Sequence, residues 1–218
     1  MSGVLVHASP WVEKTDASTS VNFPIHASVK DGDRVWVGWT WNSATLPGQA
    51  SGWTLVDEVG STGDTLAPSC SLHRKTVTST DVTNGYVTMA VHTSVGSGAA
   101  ICASGYLSTQ DFTLVALDKT ATSANFAFGA VTITQPDTLV IYVVGQNTVQ
   151  ANNFTPPSGF TEIGDRVSGR NATMGYKVFP APGSTGAVTP VSGATTRGVG
   201  ILSGWKPTDN PRFMQLLG

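Results

Sequence analysis

The stretch Arg34-Val35-Trp36-Val37-Gly38-Trp39-Thr40-Trp41 decides how the chain must be read. Alternate residues of an extended strand point to opposite faces. Val35, Val37, Trp39 and Trp41 therefore share one face, while Trp36, Gly38 and Thr40 share the other. Further along, Leu139-Val140-Ile141-Tyr142-Val143-Val144 is apolar on both faces. A strand of that kind is expected at the centre of a sheet and covered on both sides.

Outward from these two segments, the apolar runs are short and bounded by turn residues, the pattern of strands. In the first half they cover Val4 to Ala8, Ser20 to Ile25, Arg34 to Trp41, Thr54 to Val59, Ser69 to Val77, Tyr86 to His92 and Ala99 to Tyr106. The second half offers Phe112 to Leu117, Asn125 to Ile133, Thr138 to Gly145, Thr161 to Val167, Ala172 to Phe179, Ala187 to Val191 and Val199 to Trp205. Asp31-Gly32 and Asn84-Gly85 are tight-turn dipeptides, because glycine tolerates the positive φ such turns require. Gly96-Ser97-Gly98 reads as a turn ahead of a strand, and helix-period patterns are missing almost everywhere.

The second half also echoes the first. Ser51-Gly52-Trp53-Thr54 returns as Ser158-Gly159-Phe160-Thr161, and Thr19-Ser20-Val21-Asn22-Phe23 as Thr122-Ser123-Ala124-Asn125-Phe126. Asp33 to Val37 returns as Asp137 to Ile141, and Ser104-Gly105-Tyr106 as Ser203-Gly204-Trp205. All fall in the same order, and their spacing of about 100 residues is the length of one β-sandwich. The expected fold is all-β: two tandem, closely packed, internally duplicated antiparallel β-sandwich units of jelly-roll-like type. The units would span residues 1–110 and 111–208, with a C-terminal tail at 209–218. No linker separates them, so shared strands are conceivable. Phe213, Met214, Leu216 and Leu217 make the tail apolar enough to dock on a neighbouring subunit or on the chain's own surface.

Composition narrows the function. Only 12% of the 218 residues are charged, and 24 are glycine, which suits a β-protein rich in turns. The 12 Lys and Arg are scattered and the net charge is −2, so a nucleic-acid partner is not expected. No apolar run reaches the roughly 20 residues a membrane-spanning helix needs, so no membrane insertion is expected. Met1 to Val6 lacks a basic segment followed by a long apolar one, so a secretion signal is not expected. Cys70 and Cys102 are the only cysteines and fit two buried free thiols better than a disulfide or a metal pair.

No catalytic, cofactor-binding or metal-ligating set emerges. His7, His26, His73 and His92 have no second ligand at metal spacing and read as solvent-facing or hydrogen-bonded strand histidines, although strand placement can bring two together. The nucleophile pattern G-x-S-x-G does not occur. Asp57 and Glu58 point to opposite faces and cannot form a dyad; they and the equivalent Glu162 and Asp165 read as solvated strand-edge charges. Aromatic rings remain as recognition elements, since sugars stack on exposed indoles. Trp53, Tyr106 and Trp205 have aromatic counterparts in the echo and fit core positions. Trp11, Trp36 and Trp41 have none and are the candidate glycan contacts.

Taken as a set, these motifs resemble β-sandwich modules of minor tail proteins, tail fibres and other exterior virion proteins of tailed bacteriophages. They are Asp33–Val37 with Ser51–Thr54, Asp137–Ile141 with Pro156–Thr161, Tyr176-Lys177-Val178-Phe179, and the closing Ser-Gly-aromatic triplets. The first unit departs in having Ala50 before Ser51 and His73-Arg74 where the second has Tyr176-Lys177. The resemblance implies a non-enzymatic structural component of the virion, foremost a minor tail protein, with host-surface adhesion as a further role. It also implies assembly in the host cytoplasm, other virion proteins and host cell-surface glycan as partners, and a homo-oligomer, by analogy a trimer. A capsid (head) decoration protein is the alternative, and a carbohydrate-binding module is the alternative of another class.

Overall fold

The computed structural model describes residues 5–43, 45, 49–60, 68–112, 115–146, 153–166 and 171–208. Strands β1 (Val6–Ala8), β2 (Val12–Lys14), β3 (Ser20–Pro24), β4 (Arg34–Asn42), β5 (Thr54–Gly60) and β6 (Pro68–Thr76) precede a short helix, α1 (Ser79–Asn84). Strands β7 (Tyr86–Ala90), β8 (Gly96–Ala103), β9 (Tyr106–Gln110) and β10 (Val115–Asn125) follow. The remainder comprises β11 (Thr132–Ile133), β12 (Thr138–Gln146), β13 (Phe154–Thr155), β14 (Thr161–Arg166), β15 (Ala172–Phe179), β16 (Gly183–Ser184) and β17 (Val191–Pro207). The protein is all-β, with antiparallel pairing throughout.

Two large sheets dominate. One runs β1-β8-β4-β6-β5, with β2 also on β8; the other runs β10-β17-β12-β15-β14, with β9 and β13 also on β17. The second order matches the first, with β10, β17, β12, β15 and β14 standing where β1, β8, β4, β6 and β5 stand. Each large sheet carries a small outer ladder, β3-β7 on one side and β11-β16 on the other. The strand β9 precedes residue 111, yet its hydrogen bonds go to β17 and so into the second sheet.

The apolar residues divide into three layers. One outer core lies between β3-β7 and the first sheet and includes Phe23, Val35, Val37, Trp39, Trp41, Trp53 and Met89. The other lies between the second sheet and its outer segment and includes Phe126, Phe128, Val140, Tyr142, Val144 and Phe179. Between the two large sheets a third core gathers Trp36, Leu72, Ile101, Leu139, Ile141, Val143, Met174, Ile201 and Trp205. Strands β4 and β12 thus sit at the middle of a four-layer stack, both buried on both faces, as the sequence of β12 requires. The sheets approach closely where Gly38 meets Val143: a Cβ there would come within 2.5 Å of Val143 Cγ2 and 2.8 Å of Met174 Sδ.

The sequence echoes are only partly structural equivalents. Ser51–Thr54 and Ser158–Thr161 make the same turn. Gly52 and Gly159 have φ of 77° and 75°, and Trp53 and Phe160 each donate a backbone bond of 3.0 Å, to Ala50 and Pro157. Both turns lead into strands with a bulge after the second residue, at Val56 and Ile163. The Asp33–Val37 echo slips by one residue. Val35 faces its outer core, whereas Leu139 faces the central one, so the orientational partner of Val35 is Val140. A slip of one residue turns every side chain to the opposite face, and Asp137, at φ 56°, supplies the irregularity just before β12. The Ser-Gly-aromatic triplets also differ, because Gly105 sits in a turn at φ 74° while Gly204 lies within β17.

Other expectations are corrected. Gly96-Ser97-Gly98 is no turn but the start of β8, where absent side chains make room for the Trp39 ring. Asn84-Gly85 closes α1 rather than a hairpin: Gly85 is its left-handed C-cap, and Thr78 and Asp81 form a reciprocal capping box at the other end. Of Asn125 to Ile133 beyond β10, only Thr132–Ile133 is strand, and Ala187 to Pro190 is irregular. Those segments still meet through Phe126 N–H to the Pro190 carbonyl and Phe128 N–H to that of Val188. Gly129, at φ 76°, and Pro190, which has no N–H to donate, interrupt a regular ladder.

Candidate functional site

The three tryptophans proposed as glycan contacts are not sugar platforms. Trp36 is fully buried in the central core, its ring 5.3 Å from Trp205 and edge-on to Tyr106 at 6.0 Å. Its even position in β4 points it at the second sheet, which the sequence of a single strand does not disclose. Trp41 is buried in the outer core, donates from Nε1 to the Thr45 carbonyl at 3.0 Å and stacks beside His92. Trp11 is half-buried and packs on β14, where a Cβ at Gly164 would lie 3.0 Å from its own Cβ. It closes one side of the seam between the large sheets. Trp53, Tyr106 and Trp205 are core residues, as their aromatic counterparts suggested. Phe213, Met214, Leu216 and Leu217 lie outside the described residues.

The seam is pinned by polar contacts as well as by packing. Tyr106 reaches from the turn after β8 and donates its hydroxyl to the Asp137 carbonyl at 2.9 Å. Burial, with the charge of Asp137, pushes its phenol well above the usual range. Trp205 donates from Nε1 to Ser203 Oγ at 3.1 Å. Each bond removes a buried donor that would otherwise cost about 1–3 kcal/mol.

One carboxylate pair departs from expectation. In a regular strand Glu162 and Asp165, three residues apart, would face opposite ways. The bulge at Ile163 sets Glu162 opposite Gly175 and Asp165 opposite Thr173, two positions on the same face of β15. Glu162 accepts from Thr173 Oγ1 at 3.0 Å, and Asp165 Oδ2 accepts from the Phe154 N–H at 2.7 Å. Burial pushes the Asp165 carboxyl up to about 7, and the hydrogen-bonded Glu162 adds to the rise. These are therefore not solvated edge charges. The pair is engaged in the fold by these bonds. Its acceptors hold β13 and β15 in place. In the first sheet the same bulge turns Leu55 and Glu58 to one face, and Asp57 and Glu58 stay on opposite faces.

His7 and His26, remote in sequence, meet in the fold. Their rings stack at 4.3 Å and 3°, and Ser28 Oγ lies 2.7 Å from both His7 Nε2 and His26 Nδ1. Among the described residues no group of three or more metal-ligating side chains forms. Cys70 and Cys102 are free and buried, on opposite faces of their sheet: Cys70 in the central core and Cys102 in the outer one. They cannot bridge. Burial raises both thiols, Cys102 to about 12, which removes the thiolate character a nucleophile requires. The chain matches no protein-family model, and it finds no match among curated proteins or solved structures.

Proposed function

We infer that this protein is a non-enzymatic structural component of the exterior of a tailed-bacteriophage particle, foremost a minor tail protein. The observation that carries this reading is the continuous central core, which locks two large sheets back to back into one stiff block. A particle subunit must transmit load without hinging, and a close-packed interface between sheets resists relative motion. The aromatic residues serve packing rather than a cleft, which favours a structural role over the carbohydrate-binding one. The two similar Ser-Gly-aromatic-Thr turns, each feeding a bulged edge strand, support the motif resemblance on which the virion assignment rests.

Gold-labelled antibody imaging of intact particles by electron microscopy tests the assignment. Label on the tail is the expected result. Label spread over the head makes the protein a capsid decoration protein, and unlabelled particles overturn the virion reading.

A further inference from the structure

At the open side of the seam, opposite the side that Trp11 closes, lies a groove of about 370 Å³ lined by Thr54, Arg74, Thr109, Gln110 and Trp205. The Arg74 guanidinium lies 5.7 Å above the Trp205 ring. Arg34, on the same face of the neighbouring strand, is held by its Nε donating to the Tyr106 carbonyl at 3.4 Å and by Nη1 donating to Thr76 Oγ1. Neither arginine joins an ion pair among the described residues. Arg74 has no hydrogen-bond acceptor there either; its contacts are the indole and the repulsion of Arg34.

This arrangement is costly for an empty groove. Two like charges lie on one face of adjacent strands in a half-buried setting, Arg34 held by its hydrogen bonds and Arg74 lying over the indole. Burial and the neighbouring Arg34 both depress Arg74, so the site disfavours its own charge. An oxyanion reverses that balance, because a guanidinium fork matches carboxylate or phosphate oxygens with two parallel bonds. The hydroxyls of Thr54 and Thr109 and the Gln110 amide add neutral donors and acceptors, as small-molecule sites use to orient a ligand.

We propose that this groove binds a small oxyanion ligand, a carboxylate or phosphate carried on a unit about the size of one sugar ring. Arg74 makes the bidentate contact, Arg34 adds the second positive charge, and Trp205 holds the Arg74 plane in position. The second sheet has no counterpart of the arginine pair, since the residues corresponding to Arg34 and Arg74 by orientation are Leu139 and Tyr176.

The test is calorimetric titration of the full chain with glucuronate, glucose 6-phosphate and neutral glucose, with amide shifts mapped by NMR. Either anion is expected to bind with a dissociation constant of about 0.1–1 mM and to shift the amides of Thr54, Arg74 and Gln110, while glucose does neither. Preference for glucuronate identifies a carboxylate ligand and preference for the phosphate a phosphorylated one. Arg74→Gln should weaken binding about tenfold, with Arg74→Lys intermediate because it keeps charge but loses the fork. Gln110→Glu leaves the arginine–indole stack intact and should also weaken both anions, which covers the case in which Arg74→Gln fails to fold. No shift with either anion at about 10 mM, equal binding of glucose, or full affinity in Gln110→Glu would overturn the proposal.

Discussion

The two outer cores solve one packing problem in opposite ways. In the first, the bulk sits on the central strand: Trp39 and Trp41 project from β4, and Gly96 and Gly98 on the neighbouring β8 make room for them. In the second, β12 supplies Val140, Tyr142 and Val144, and much of the bulk comes from the outer segment, where Phe126 and Phe128 press onto Gly198 and Gly200 of β17. Large residues need small partners across an interface of fixed thickness. Which side carries the large ones is free, and that freedom hides the likeness of the two halves from residue-by-residue comparison.

The consequences differ in size. A Cβ at Gly98 would collide with the Gly38 carbonyl, a backbone atom in a central strand that cannot retreat. At Gly200 the obstacle is Phe128 Cζ at 2.6 Å, the far end of a side chain on an irregular segment. Gly98→Ala is therefore expected to cost about 4 kcal/mol or more, and Gly200→Ala about 1–3 kcal/mol, both read by urea unfolding. Equal losses would mean that the second outer layer is as rigid as the first.

The seam is the next place to break the comparison. Trp36→Ala empties the centre of the shared core and should cost about 3–5 kcal/mol. Trp11→Ala, which unplugs only the edge, should cost about 1–2 kcal/mol. If Trp36→Ala leaves two separate unfolding transitions, the sheets are held together by that cluster more than by the connecting chain.

The bulged edge strands differ in charge, and pH sharpens that difference. Asp165 is raised to about 7 in the folded protein, above its ordinary unfolded value. The proton it binds therefore adds stability that is full below about pH 4 and is lost as pH rises through about 7. Because the group is only partly buried, the loss should be on the order of 1 kcal/mol. Asp165→Asn should flatten the urea midpoint between pH 5 and pH 8. A wild-type midpoint that does not fall over that interval rules out a raised Asp165 carboxyl.

The smallest expected effect concerns α1, which has no described counterpart in the second half. Thr78→Ala removes the N-cap and should cost about 1 kcal/mol. Asp81 responds in the opposite sense to Asp165. Burial would raise its carboxyl, but hydrogen bonds from Lys75 and Thr78 outweigh burial and lower it. Its contribution is present above the ordinary carboxylate range and fades as pH falls below it. A thermal melt at acid pH, compared between wild type and Asp81→Asn, checks that direction.

Much of the fold was legible because strands announce themselves locally. Ala172–Phe179 was read to the residue, and β3 to β6 within one or two at each end. The positive φ of Gly32 and Gly85 was legible for the same reason, since it is a property of one residue. The acid pair was not legible, because a bulge of one residue reverses facing and leaves no mark in composition. The His7–Ser28–His26 contact was hidden too, as it depends on how a loop returns to an edge strand.

The sequence by itself determined the all-β class, the doubly covered central strand β12 and the buried free thiols, since period, turn chemistry and hydrophobicity act over a few residues. Only the tertiary structure decided that Trp36 and Trp41 are interior, that β9 joins the second sheet, and that Arg74 lines a groove with Arg34 on the same face of the next strand. Those outcomes depend on which face of one sheet meets which face of another. A strand carries two faces in its sequence but no indication of what will cover each.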